Sequence, residues 1–358
     1  MSSEEIRYRP YRKGDETQIL QLFHEVFGPG YTAELWNWQF ALNPFGGPLV
    51  WLAEDAQGRL AGHYCLIPVP FYEDGTAQTA AFSILSMVHP DFQRRGILKK
   101  LAQHCDAQLK EDHIYSNLTF LNDNSLPVYT KTFGWKRLFD LLPAYFTVLN
   151  AAELFKKYTQ HKTLCRVLGA GAGLGFGLFT AFSKRRVPKN TFIIQEVSEF
   201  DARFDALWDR FKSQIHSGTV RNRAYLTWRY TQNPRPYRIF TAVDQGELHG
   251  FVVIREEVKF GIRMGYIADV LFTEELAGRV LLEEAMTVLR KAGCGMVSAL
   301  ASAPESLPLT LRHSGFLPLP KFLMPHGIHF CVRSLNTAQP FHIRKEGLHL
   351  SWSDHDVV

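Results

Sequence analysis

The sequence predicts an α/β (α+β) fold of mixed, mostly antiparallel sheets flanked by helices, used twice along the chain. Three observations predict it. Hairpin-like segments are interleaved with segments of helical period, the pattern of a mixed sheet that carries helices. The stretch Leu35-Trp36-Asn37-Trp38-Gln39-Phe40, followed by Asn43-Pro44, returns as Tyr225-Leu226-Thr227-Trp228-Arg229-Tyr230, followed by Asn233-Pro234, at an offset of 190 residues (Trp38 to Trp228). The chain has 358 residues, 46% of them hydrophobic and 21% charged, enough for two ordinary cores and long for one.

In the first half the order is a strand at Arg7 to Tyr11, a helix from Asp15 to Phe27, and the Trp-rich helix from Ala33 to Ala41, broken by the proline that follows. Strands at Leu49 to Glu54 and Gly62 to Tyr72 flank a turn at Asp55-Ala56-Gln57-Gly58, and a third strand runs from Thr79 to Val88. A helix from Gly96 to Asp112, a strand at Ser116 to Leu121, a helix from Ser125 to Thr132 and a strand at Ala144 to Leu149 complete it. The second half repeats the order, with a strand near Phe192 to Glu196 and a helix from Asp201 to Phe211. Strands follow near Tyr237 to Val243, His249 to Glu257 and Met264 to Phe272, then a helix from Ala277 to Ala292. Ser306-Leu307-Pro308 with Gly315-Phe316 answers Ser125-Leu126-Pro127 with Gly134-Trp135. The expected domains are 1–150 and 191–358, joined by the linker 151–190.

A net charge of +5 and a pI near 8.9 suit an anionic ligand or a membrane surface but fall short of a nucleic-acid signature. Cys65, Cys105, Cys165, Cys294 and Cys331 form no CxxC pair and imply a reduced interior. Met1 to Glu16 lacks the apolar run of a secretory signal, so a cytoplasmic location is expected. The scattered histidines and absent HExxH give no metal site, and no G-x-S-x-G elbow points to a serine nucleophile.

The chemistry-bearing stretch runs from Ser83 to Leu101. An apolar strand reaches Pro90, a polar loop carries Gln93, Arg94, Arg95 and Gly96, and a helix follows with Ile97, Leu98, Leu101 and Ala102 on one side. Unpaired N–H groups at that helix start, together with its dipole, make an anion site fit for a diphosphate. Gly96 lets backbone approach the phosphates without a Cβ, and the two arginines add charge from the rim.

This stretch resembles the coenzyme-A loop of the GCN5-related N-acetyltransferase (GNAT) superfamily, Gln/Arg-x-x-Gly-x-Gly/Ala, with Leu98 in the last position. A second signature of that family resembles Asn122-Asp123-Asn124-Ser125-Leu126-Pro127-Val128-Tyr129, followed by Phe133-Gly134-Trp135. The resemblance covers Ile6 to about Asn150. It implies an acyl-CoA co-substrate, acetyl-CoA or another, and no metal. Backbone groups of Leu85, Met87 and Val88 would pair with the pantetheine arm as an added strand does, and amides from Gln93 to Leu98 would hold the pyrophosphate. Asn122, with Ser125 beside it, would meet the arm from the far side. Tyr129 would protonate the leaving thiolate. The implied reaction is direct N-acylation of an amine on a small molecule, sugar or lipid precursor.

No acidic residue lies in Thr79 to Val88, so a base on that strand is excluded; His89 reads as structural, and Glu54 and Asp269 stay open as bases. In the second half Val270 to Arg279 lacks the Gln/Arg-x-x-Gly pattern, and Glu274 and Glu275 would repel a diphosphate. One acyl-CoA per chain is therefore expected, the arrangement of tandem bacterial GNAT proteins with a degenerate second domain. Arg221, Arg223, Arg229, Arg235 and Arg238 either select an anionic acceptor or are solvated. Other readings are a non-catalytic acyl-CoA sensor and an aminoacyl-tRNA-dependent peptidoglycan-type ligase, whose doubled fold does not use the Gln93 to Gly96 loop. Segment 164–182, glycine-rich and flanked by Lys156, Lys157, Lys162, Lys184, Arg185 and Arg186, is short for a spanning helix and reads as an interdomain helix or hairpin able to dip into a membrane surface.

Overall fold

Element boundaries follow the sequence reading closely in a computed structural model of the chain, which describes residues 5–155, 169–171, 173–177, 191–259, 261–320, 327–336 and 343–355. In chain order the elements are β1 (Arg7–Pro10), α1 (Glu16–Phe27), α2 (Ala33–Trp36) running into a π-helical turn (Asn37–Ala41), β2 (Leu49–Glu54), β3 (Leu60–Glu73) and β4 (Thr76–Val88). Next come α3 (Ile97–Glu111), β5 (Ser116–Asn122), α4 (Leu126–Thr132), β6 (Lys136–Arg137), β7 (Ala144–Val148) and α5 (Ala151–Phe155). The second run holds β8 (Ile193–Val197), α6 (Ala202–Phe211), β9 (Ser217–Thr219), α7 (Arg223–Leu226) with another π-helical turn (Thr227–Thr231), β10 (Arg238–Asp244), β11 (Glu247–Lys259) and β12 (Ile262–Phe272). It ends with α8 (Glu275–Lys291), β13 (Met296–Leu300), α9 (Ser306–His313), β14 (Leu317–Pro318), β15 (Ile328–Ser334) and β16 (Leu348–His349). Helix α2 and its π-helical turn reappear as α7 and its turn at the same offset of 190 (Ala33 to Arg223), each opened by a side-chain cap: Thr32 accepts from the Leu35 amide, Asn222 from the Tyr225 amide.

The chain divides into two compact units, one of Met1–Leu141 with Gln232–Pro234 and His326–Ile343, the other of Leu142–Thr231, Arg235–Pro325 and Arg344–Val358. The division corrects the expected boundary. Ala144 to Leu149, read as the last strand of the first half, supplies β7, which pairs antiparallel with β13 in the second unit's sheet. The first unit's sheet is completed by β15, antiparallel to β5 with Phe330 opposite Phe120. A five-residue apolar strand satisfies its amides equally at either sheet, so its composition does not choose between them.

In the first unit the strand order is β1-β2-β3-β4-β5-β15-β6, with β4 and β5 the parallel pair. Helix α3 lies on one face and buries Ile97, Leu101, Ala102, Cys105 and Leu109 against Ala53, Ala61 and Tyr64. Gly62 makes this close approach possible: a Cβ there would stand 2.8 Å from Ile97 Cγ2. On the opposite face the Trp36 and Phe40 rings lie 4.2 Å apart, tilted by 33°, and Trp36 meets the His63 ring edge-on at 6.0 Å. Strands β4 and β5 pair from Ala80/Ser116 to Ser83/Thr119 and then part, leaving a slot between their C-terminal ends.

The second unit has the order β14-β7-β13-β12-β11-β10-β8, with β12 and β13 parallel from Met264/Met296 to Ile267/Ala299. Its core joins the apolar face of α8, including Leu281, Leu282, Ala285 and Leu289, to Val252, Ile254, Ile267 and Val297. Most of 164–182 lies outside the described residues; among those described, no helix is long and apolar enough to cross a membrane.

Candidate active site

The slot owes its chemistry to a kink in β4. Between His63 and Cys65 the register with β3 slips by one residue, and Leu85 takes φ +45°, a left-handed conformation uncommon for leucine. Two side chains of β3 hold the kink from one side: Cys65 Sγ donates to the Ile84 carbonyl at 3.1 Å, and His63 Nδ1 lies 3.0 Å from the Leu85 carbonyl. In a trans peptide the next N–H points opposite the carbonyl, so the amides of Leu85 and Ser86 face away from the Cys65 thiol and the His63 ring, at a level of β4 beyond its last pairing with β5. Two successive amides aimed one way form a small anion-seeking concavity. This qualifies the expected role of Leu85: its carbonyl is held by His63, and the N–H is the group it offers to the slot.

Beyond β4 the loop turns on a 3-10 turn (Pro90–Phe92) closed by His89, whose Nδ1 accepts from the Asp91 amide at 3.1 Å while Nε2 stands 3.0 Å from Glu25. His89 is thus structural. Arg94 and Gly96 adopt left-handed φ of +64° and +73° around Arg95, and Gly96 caps α3. The first α3 bond runs from the Lys100 amide to the Gly96 carbonyl, so the amides of Ile97, Leu98 and Lys99 precede the helical ladder at an exposed end. Gln93 and Arg94 are exposed on this rim. The Arg95 guanidinium folds back onto its own loop, donating to the Asp91 carbonyl at 3.0 Å and lying 5.1 Å from the Phe92 ring. Leu98, where the resembling pattern has Gly or Ala, turns its side chain toward the core and leaves its backbone at the helix mouth.

Across the slot, β5 ends in a tight turn in which Asn122 Oδ1 accepts from the amides of Asn124 (3.1 Å) and Ser125 (2.9 Å). The Ser125 hydroxyl also stays inside this turn, 3.0 Å from Asn122 Oδ1. The geometry therefore ties Asn122 and Ser125 together as the mount of α4 and does not aim the serine hydroxyl at the slot. Tyr129, on α4, is 3% exposed and donates its hydroxyl to Ser86 Oγ at 2.9 Å. Burial raises its pKa above the ordinary phenol value, so the hydroxyl keeps its proton at neutral pH. The structure thus brings the phenol of Tyr129 to the very residue whose amide faces the slot.

Both open base candidates are already committed. Glu54 is ion-paired with Arg9, which also binds Asp15. Asp269 belongs to the second unit and is fully buried: burial pushes its pKa up, the Arg221 guanidinium at 2.8 Å pulls it down further, and the net direction is down. Arg221 also binds Asp354 at 2.8 Å and the hydroxyls of Ser351 and Ser353 at 3.0 Å. Arg229 donates to the Ser353 carbonyl at 2.9 Å, whereas Arg238 forms an exposed pair with Glu196. Arg221 and Arg229 are thus neither solvated nor lining an acceptor pocket; they anchor the C-terminal segment of their own unit.

Counting back from the matching pairs Gly62/Val88 and Gly250/Phe272, Leu85 corresponds to Asp269 and Ser86 to Val270. There the carboxylate of Asp269 accepts from the Val270 amide at 3.1 Å, and Trp352 Nε1 donates to Ser298 of β13 at 3.2 Å. In the second unit the corresponding amide is therefore already covered by a negative charge.

Residues 7–138 match the family described as the acetyltransferase (GNAT) domain. A search of curated protein sequences finds no match. Among solved structures, a GCN5-related N-acetyltransferase from Anabaena variabilis is similar at 13% identity and TM-score 0.62, over 93% of this chain and 73% of that one. A conserved protein of unknown function from Enterococcus faecalis, described as a probable N-acyltransferase, gives 14% identity and TM-score 0.59 over 92% and 72%. Saccharomyces cerevisiae N-myristoyltransferase with bound myristoyl-CoA gives 13% identity and TM-score 0.63 over 98% of this chain and 90% of that one. At these identities the structural likeness is one of fold; the family match spans residues 7–138, which include the kinked strand, the loop and α4. Residues 7–138 thus match the acetyltransferase (GNAT) domain family, and the chain shares its fold with N-acyltransferases of known structure.

Proposed function

We propose that the first unit binds one acyl-CoA, acetyl-CoA or another, along the slot between β4 and β5 and transfers its acyl group to the amine of a small molecule, sugar or lipid precursor. The observation that carries this reading is the convergence on one strand end of an open helix N-terminus, two outward amides and a buried, protonated tyrosine. The amides of Ile97, Leu98 and Lys99 with Gly96 suit a pyrophosphate. When bound, the acyl-CoA supplies an activated thioester. The amides of Leu85 and Ser86 lie where they can stabilise negative charge developing on the acyl oxygen as a neutral amine attacks. Tyr129 donates its hydroxyl proton to the departing thiolate, the proton released by the amine passes to water, and water returns a proton to the tyrosine. The Asp269 carboxylate over the Val270 amide supports a single acyl-CoA per chain.

Thiol release from acetyl-CoA in the presence of a panel of primary amines tests the reading. Turnover should appear with at least one amine and fall about 10²- to 10⁴-fold in Tyr129→Phe, with acyl-CoA affinity nearly unchanged. Full turnover in Tyr129→Phe would remove the tyrosine from the mechanism; no binding of any acyl-CoA by wild type would remove the function.

A further inference from the structure

His63 is a fully buried histidine on β3 that no motif marks and the chemistry above does not use. Its Nδ1 lies 3.0 Å from the Leu85 carbonyl. A carbonyl only accepts, so Nδ1 carries the proton; burial lowers the ring's pKa to about 4, so the ring is neutral and Nε2 is bare. Nε2 is buried without a hydrogen-bond partner. A leucine or phenylalanine would fill the same space without burying that nitrogen, so fold stability alone gives no reason for an imidazole here.

What the imidazole does is hold a strand in an unfavourable shape. Leu85 sits at φ +45°, where a side chain is disfavoured and glycine would be at ease. Cys65 holds the preceding carbonyl through a weaker thiol bond, and Trp36 packs edge-on against the His63 ring, fixing its orientation. The second unit offers an internal comparison. The residue in the place of His63, paired with Leu271 as His63 is with Met87, is Phe251, which cannot donate to a carbonyl; in that unit the amide matching Ser86 is covered by Asp269. Clamp and outward amides occur together in one unit and are both missing from the other.

We propose that His63 is a positioning residue for acyl transfer: by donating Nδ1–H to the Leu85 carbonyl it locks the kink of β4 so that the Leu85 and Ser86 amides face the reacting carbonyl. This rests on the acyltransfer reading of the slot. The role is reserved for the transition state, so it governs kcat and leaves acyl-CoA binding largely untouched.

Three substitutions test it, with acetyl-CoA and whichever amine of the panel supports turnover. His63→Leu removes the donor, His63→Gln places one at the Nε2 position, and His63→Asn places one at the Nδ1 position. Expected are a drop of about 10- to 100-fold in kcat for Leu and Gln with KM for acyl-CoA within about threefold, and recovery by Asn to within about threefold of wild type. Wild-type kcat in folded His63→Leu overturns the proposal, as does a folded His63→Asn impaired as deeply as His63→Leu. A crystal structure of His63→Leu decides the clamp separately: Leu85 should relax to negative φ, and retention of positive φ would refute the clamp whatever the activity. If wild type turned over no amine, the acyltransfer reading would fall while the Leu85 conformation still decided whether His63 holds the kink.

Discussion

At the scale of single residues, Tyr129 and His63 are two buried groups kept in their neutral forms by desolvation. For His63 the effect on stability has the sign of a paired carboxylate, since its folded-state pKa is lowered. The unfolded chain takes a proton on His63 below the ordinary value of 6.5, whereas the folded chain resists until about 4. The unfolded state therefore binds more protons across that window, and stability is lost as pH falls from about 6.5 toward 4. His349, also fully buried with a lowered pKa, acts in the same direction. Between pH 7 and pH 5, His63→Asn should lose about 2 kcal/mol less stability than wild type, read from urea midpoints at the two pH values. Equal losses would mean that the wild-type ring is not held neutral.

At the scale of elements, the slot depends on how closely α3 approaches β3. Gly62→Val would press on Ile97 Cγ2 and Leu101 Cδ1, which stand 2.8 and 3.1 Å from a Cβ at that position. An overpacking cost of about 1–3 kcal/mol is expected, together with weaker acyl-CoA binding because the head of α3 moves; a thermal melt and a titration check both. Most elements were legible because their signals are local: the alternation of β2 to β4, the proline-terminated Trp-rich helix, and the glycine at the mouth of α3. The kink of β4 was not, because a register slip depends on which β3 side chains meet which β4 carbonyls, and nothing in Ser83 to Val88 marks Leu85 as left-handed. For the same reason His63 and Cys65 escaped notice. Asn122 and Ser125 were legible as a cluster, but their hydrogen bonds close on each other, which spacing alone could not reveal.

At the scale of the whole molecule, each unit uses a strand that the sequence order assigns elsewhere: β7 pairs in the second sheet and β15 in the first. Sequence order could not show this, since short apolar strands carry no address. The second unit's C-terminal segment is tied down by Arg221, whose side chain is fully buried between Asp269 and Asp354. Arg221→Met leaves two carboxylates buried without their cation and should destabilise that unit by about 3–5 kcal/mol, measured by urea unfolding. An unchanged midpoint would show the network to be dispensable. The central claim is that one helix mouth, that of α3, receives the diphosphate of an acyl-CoA. Isothermal titration of the pure chain with acetyl-CoA measures this most directly: the account predicts one site per chain, abolished by Gly96→Glu with the fold intact, whereas two sites, or one site indifferent to Gly96→Glu, would contradict it.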